Sequence, residues 1–236
     1  MLASVEKEID FFDMEYSHGL EWYLSHFPAQ PTAQGRWVAG ETSANYFYSN
    51  VAPQRVFEQF PQLQLVVLLR HPVDRTISRY NMMVRNGVEK RSFEQAILEE
   101  IELIEQAQAR AQALSLSASL SQDESIPWSV LNRCRHVGNS LYYYHLQRWL
   151  QHFSLDQILV LRSEDFFMAP EQTLGVLCQK LGISSPPAQT YQKYNAGEYE
   201  AVPGAIRQRL FDFYQPHIHK LERLLDRSFS WSAPSI

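Results

Sequence analysis

The chain has 236 residues, of which 45% are hydrophobic and 20% charged; this is ordinary globular usage and excludes a wholly disordered or low-complexity polymer. A formal net charge of −5 argues against a broadly basic, nucleic-acid-binding surface, and two cysteines exclude a disulfide framework or a four-cysteine zinc site within the chain. The apolar runs fall well short of the roughly 20 residues that cross a bilayer, and Met1–Glu8 has neither a basic leader nor an apolar core, so a cytoplasmic protein without a membrane span is expected.

In chain order, Leu20–Phe27 carries a weak helical pattern that stops before Pro28, and Trp37–Glu41 reads as a short strand. Val56–Phe60 is the tail of a helix ended by Pro61. Leu63–Arg70 is a nearly continuous aliphatic run, the pattern of a parallel strand covered on both faces. Pro72 opens a helix carrying Val73, Ile77, Tyr80 and Val84 on one face, and Gly87 ends it. Phe93–Leu114 is strongly helix-favouring, and Ser115–Ser125 reads as a mobile loop. Tyr142, Leu146, Trp149, Leu150 and Phe153 form one face of an amphipathic helix, followed by a strand at Gln157–Arg162. Further helices follow Pro170, with Gly182 as its stop, and span Gly204–Leu225, while Trp231 docks the C-terminus. Strands alternating with helices predict a single α/β domain over residues 1–236 with a mainly parallel sheet.

Ligands of such sheets bind beyond the carboxyl ends of the strands, which directs attention to three segments. In Arg70–Tyr80, Arg70 ends the best strand, the helix from Pro72 turns its N-terminal amides toward the same place, and Ser78 lies about one turn beyond Arg75. Arginine offers a planar fork for phosphate and serine a short donor; equally, these arginines suit surface ion pairs with Asp74 capping the first turn. In Lys7–Asp13, carboxylates flank an aromatic pair, which places an acid at a core edge or else marks a solvated tail. Gly40–Phe47 follows a strand and is rich in small polar residues that could line a pocket. The eight histidines show no metal-ligand spacing, so no metal site is assigned, and His217 and His219 are expected on an exposed helix.

These segments, taken together, resemble the sulfotransferases that use 3′-phosphoadenosine-5′-phosphosulfate (PAPS), in particular the heparan sulfate enzymes and the bacterial carbohydrate and polyketide domains. Arg70-His-Pro-Val-Asp-Arg-Thr-Ile-Ser78-Arg-Tyr80 is similar to a family segment whose Arg and Ser hold the 3′-phosphate, which implies that role for Arg70 and Ser78. Lys7-Glu-Ile-Asp-Phe-Phe-Asp13 resembles a block whose Glu deprotonates the acceptor, which implies Glu8. Gly19–Pro28, Gly40–Phe47, Leu141–Leu150 and Ile158–Asp165 match further blocks in order.

The resemblance implies a P-loop-like three-layer α/β fold and a sugar or small-molecule hydroxyl or amine acceptor. It also implies PAPS as donor, 3′-phosphoadenosine-5′-phosphate as product, and no metal. Asp10 stands where many members have His, Thr42 where some have Lys, and Asn139-Ser140 where Arg-Gly is common. The family's N-terminal strand, Lys-x-Gly-Thr phosphosulfate loop and helix precede its Lys-Glu block, but here six residues precede Lys7 and no such loop motif occurs. The expectation is thus an N-terminally truncated chain that is poorly soluble or marginally stable, and inactive as given. The alternatives are a non-catalytic remnant that binds nucleotide and, more remotely, a nucleotide kinase.

Overall fold

The computed structural model describes residues 2–28, 38–118, 126–187, 191 and 202–233. The chain forms two compact units, Met1–Leu69 with Arg148–Gln192, and Arg70–Gln147 with Lys193–Ile236.

The first unit carries β1 (Leu2–Ala3), α1 (Leu20–Ser25), β2 (Ala39–Gly40), α2 (Ala52–Gln59) and β3 (Leu65–Leu69). The second carries α3 (Pro72–Arg85), α4 (Phe93–Ala118) and α5 (Trp128–Arg133), and α6 (Tyr142–Leu150) runs from one unit's residues into the other's. The first unit resumes with β4 (Ile158–Arg162), α7 (Ser163–Met168) and α8 (Pro170–Leu181); α9 (Gly204–Leu225) completes the second.

Among the described residues the four strands pair in parallel, β1 with β2 and β3 with β4, the latter in register from Leu65↔Ile158 to Leu69↔Arg162. Parallel partners need a long crossover, and α1 lies in the one joining β1 to β2. The expected α/β class with parallel strands is therefore present. β3, however, is not covered on both faces. Its side chains alternate, with Leu69 buried but Val66 and Leu68 44% and 52% exposed. An aliphatic run reports strand propensity; it does not by itself report how many faces find a partner.

The first unit's core gathers Ile9, Phe11, Phe12, Tyr23, Ala52, Val56, Leu69, Phe153, Ile158 and Val160. Phe11 and Phe12 meet edge to face at 4.9 Å, and Tyr23 lies 4.8 and 5.1 Å from them. Lys7–Asp13 is thus anchored in the core rather than a solvated tail.

In the second unit, α3 buries Val73, Thr76 and Ile77, α4 buries Ala96, Ile97, Ile101 and Ile104, and α9 buries Leu210, Tyr214, Ile218 and Leu221. His217, expected on an exposed face, is buried, with its Nδ1 3.2 Å from the Tyr144 hydroxyl. It sits three residues after Tyr214 and four before Leu221, so the α9 periodicity turns it inward. α4 includes Ser115–Ala118, which the sequence pattern assigns to the loop; residues 119–125 of the expected loop lie outside the described residues. Gly138 lies against α5, where an added Cβ would stand 2.8 Å from the Leu131 carbonyl, so only glycine allows this approach. Among the described residues, no helix is long and apolar enough to cross a membrane.

Candidate functional site

In the first unit, the chain turns sharply between β1 and α1. Glu8 and Asp10 have φ of 56° and 51°, in the left-handed region that costs a non-glycine residue of order 1–3 kcal/mol. That conformation is held by partners from the strand-loop after β2. The Glu8 amide donates to the Thr42 carbonyl at 3.0 Å, and the Ala44 amide donates to Glu8 Oε2 at 3.2 Å. The Asp10 carbonyl accepts from Met14 and Glu15, while Phe11 and Phe12 drive into the core beneath. The Glu8 residue itself is exposed, so a carboxylate fixed at one oxygen faces outward from a rigid base.

Behind it lies Glu41, half-buried, whose Oε2 accepts from Ser43 Oγ at 2.8 Å and whose Oε1 accepts from the Tyr46 hydroxyl at 3.1 Å. Burial raises its pKa, against the lowering effect of Ser43, Tyr46 and Tyr23, with Asp10 adding to the rise. Asp10 and Asp13 are also raised, each mainly by burial. Arg55 donates to the carbonyls of Phe12 and Asp13, both at 3.1 Å, and stacks over Tyr16 at 4.3 Å. Sequence reasoning marked Gly40–Phe47 only as a pocket-lining segment and did not single out Glu41. The signal for it was a carboxylate followed at short range by two hydroxyls.

Arg70 and Ser78 belong to the second unit. Arg70 follows β3 directly and is exposed, and its carbonyl accepts from the Tyr142 hydroxyl at 2.9 Å. Ser78 lies in the second turn of α3. His71 caps this helix, its Nδ1 accepting from the Val73 amide at 3.3 Å, while its Nε2 lies 3.0 Å from the Ser232 carbonyl. Asp74 pairs with Arg207 of α9 at 2.8 Å, and Arg91 with Glu89 and Glu99 at 2.6 and 2.7 Å, so part of the local basic excess forms ion pairs.

Arg75 and Thr76 have a structural task. The Arg75 guanidinium donates to the His136 carbonyl at 3.1 Å, and Thr76 Oγ1 lies 3.0 Å from Ser140 Oγ and 2.7 Å from the Tyr214 hydroxyl. From the other side, Glu100 accepts the amides of His136 and Val137 at 3.3 and 2.7 Å. Side chains of α3, α4 and α9 thereby satisfy the buried backbone of His136 and Val137, which would otherwise be costly to desolvate.

Burial pushes Glu100 from 4.5 up to about 7. Between those pH values the native chain holds a proton that the unfolded chain has released, so this group's contribution is lost as pH rises through 7. A shift of that size is worth about 3 kcal/mol at most. His136, lowered by burial, acts in the opposite sense, so the effect is read as a difference. Denaturant melts at pH 5 and pH 8 should show wild type losing more stability than Glu100→Gln on going to the higher pH. Parallel pH slopes would show that Glu100 does not titrate in this range.

Known proteins are similar to this chain over most of its length. The family model described as the sulfotransferase domain matches residues 3–196. The membrane-associated sulfotransferase kil1 of Dictyostelium discoideum is 25% identical over 96% of this chain and 60% of its own length. Mouse heparan sulfate glucosamine 3-O-sulfotransferase 3A1 is 26% identical over 98% of this chain and 58% of its own. The chain thus spans about 60% of the length of these relatives. The crystal structure of a sulfotransferase from Alicyclobacillus acidocaldarius superposes with a TM-score of 0.66 and 25% identity, covering 97% of this chain and 86% of that one.

Proposed function

The chain belongs to the sulfotransferase family, and from that membership we propose that it transfers a sulfuryl group from PAPS to a hydroxyl or amine of a carbohydrate acceptor. The observation that carries this reading is Glu8, an exposed carboxylate locked at positive φ above an aromatic core. PAPS, when bound, supplies the activated sulfuryl group. Glu8 takes the proton of the acceptor as its oxygen or nitrogen attacks sulfur. The new bond to sulfur forms as the bond to the bridging oxygen breaks, and 3′-phosphoadenosine-5′-phosphate departs. General-base help of this kind is worth typically 10²–10⁴-fold.

The donor chemistry suits the residues after β3. Arg70 presents an exposed guanidinium next to the start of α3, and Ser78 adds a hydroxyl one turn further, a pairing suited to the 3′-phosphate. A carbohydrate acceptor is the reading favoured by the heparan sulfate relatives. The test uses PAPS labelled in its sulfuryl group with three acceptors: desulfated heparan chains, a monosaccharide and a simple alcohol. Label is expected in the polysaccharide. Label found only in the small alcohol would overturn the acceptor class.

A further inference from the structure

Glu41 reaches the turn that carries Glu8 through two hydroxyls, those of Ser43 and Tyr46. An ionised carboxylate only accepts hydrogen bonds. Ser43 and Tyr46 must therefore turn their single hydroxyl protons toward Glu41, at 2.8 and 3.1 Å. That leaves their lone pairs facing the other way, and each is used. Ser43 Oγ accepts the Asp10 amide at 3.1 Å, and the Tyr46 hydroxyl accepts the Phe12 amide at 3.3 Å. One carboxylate thus sets the direction of two hydroxyl relays that end on alternate amides of the same turn. Those amides flank the left-handed residue Asp10 and follow the left-handed Glu8. The same strand-loop supplies the two direct contacts to Glu8, from the Thr42 carbonyl and the Ala44 amide.

We infer that Glu41 is a positioning residue for Glu8, holding the Glu8–Phe12 turn in register through the Ser43 and Tyr46 hydroxyls; this rests on Glu8 being the base. A neutral amide in place of Glu41 presents an oxygen to one hydroxyl and an NH₂ to the other. The hydroxyl facing the NH₂ loses its acceptor and is free to rotate, which loosens its hold on the amide beyond. Misplacing a reacting group by about 1 Å can cost 10²-fold in rate.

The test compares Glu41→Gln, Glu41→Asp, Glu8→Gln and the double variant Glu8→Gln/Glu41→Gln in the full-length protein. Glu41→Gln should lower kcat at least tenfold with the acceptor KM and the affinity for 3′-phosphoadenosine-5′-phosphate unchanged. Glu41→Asp, which keeps the charge, should recover part of the loss. The double variant should be no slower than Glu8→Gln alone, because a positioning residue has nothing left to position. Multiplying losses, or an unchanged kcat in Glu41→Gln beside a slow Glu8→Gln, would overturn the inference. Hydrogen exchange separates it from the base assignment. The Asp10 and Phe12 amides should exchange faster in Glu41→Gln while the amides of α2 stay protected. If Glu8→Gln proves fully active, the base assignment falls, and the exchange result alone decides: faster exchange upholds the hold on the turn, and unchanged exchange overturns it.

Discussion

Replacing Glu8 by Gln in the full-length protein is expected to cut turnover by about 10²-fold or more while leaving nucleotide binding intact. The substitution keeps the shape of the side chain, and a Gln carbonyl oxygen can still accept the Ala44 amide that fixes Glu8 Oε2 at 3.2 Å. The turn at Glu8, held also by the Thr42 carbonyl and the buried Phe11 and Phe12, should therefore persist. What is lost is the capacity to take a proton. The loss should fall on kcat rather than on acceptor KM, because the proton moves only as the acceptor attacks. Turnover equal to wild type would assign the base elsewhere, with Asp13 and His71 the next residues to replace. Asp13 is tested first, because it lies in the same anchored segment as Glu8 and burial raises its pKa.

Arg70→Ala should weaken binding of 3′-phosphoadenosine-5′-phosphate by about 1.5–3 kcal/mol, the scale of a hydrogen bond to a charged group. That corresponds to roughly 10- to 150-fold in dissociation constant. Arg70 is exposed, which favours the lower half of that range, since water screens the pair. Its exposure also means that truncating it should leave folding unaffected, and the Tyr142 bond is to the backbone carbonyl, which the variant keeps. Adenosine 5′-phosphate, which lacks the 3′-phosphate, should bind wild type and variant alike. Calorimetric titration reads both ligands, and an unchanged affinity for the bisphosphate would remove Arg70 from the site.

Several elements of the fold are legible in the sequence. Pro72 and Gly87 bracket α3, and Gly204–Leu225 is a helix throughout, because proline, glycine and apolar spacing act locally. The Phe11–Phe12 pair leaves both a core edge and a solvated tail open in the sequence, and burial of both rings decides for the core edge. What escaped depends on distant partners. The aliphatic run of β3 looks alike whether one face or two are covered, and Val66 and Leu68 are open. His217 reads as a surface residue by its chemistry, yet the α9 face it shares with Tyr214 is buried. The polar Ser115 run reads as loop, yet the preceding Ala/Leu turns carry α4 on through Ala118. Glu41 escaped because its role appears only when Ser43 and Tyr46 are seen to meet amides 33 and 34 residues away. Short helices such as α5 and α7 offer too few turns for periodicity to register.

The proposal that a sulfuryl group passes through this protein from PAPS to a carbohydrate is tested most directly by a balance of products. The full-length protein is mixed with sulfuryl-labelled PAPS and desulfated heparan chains, and 3′-phosphoadenosine-5′-phosphate and labelled polysaccharide are counted together over time. The account predicts that the two appear in equal amounts, and that both slow in parallel in Glu8→Gln. Bisphosphate released without label in the polysaccharide, or nucleotide bound with neither product formed, would contradict it.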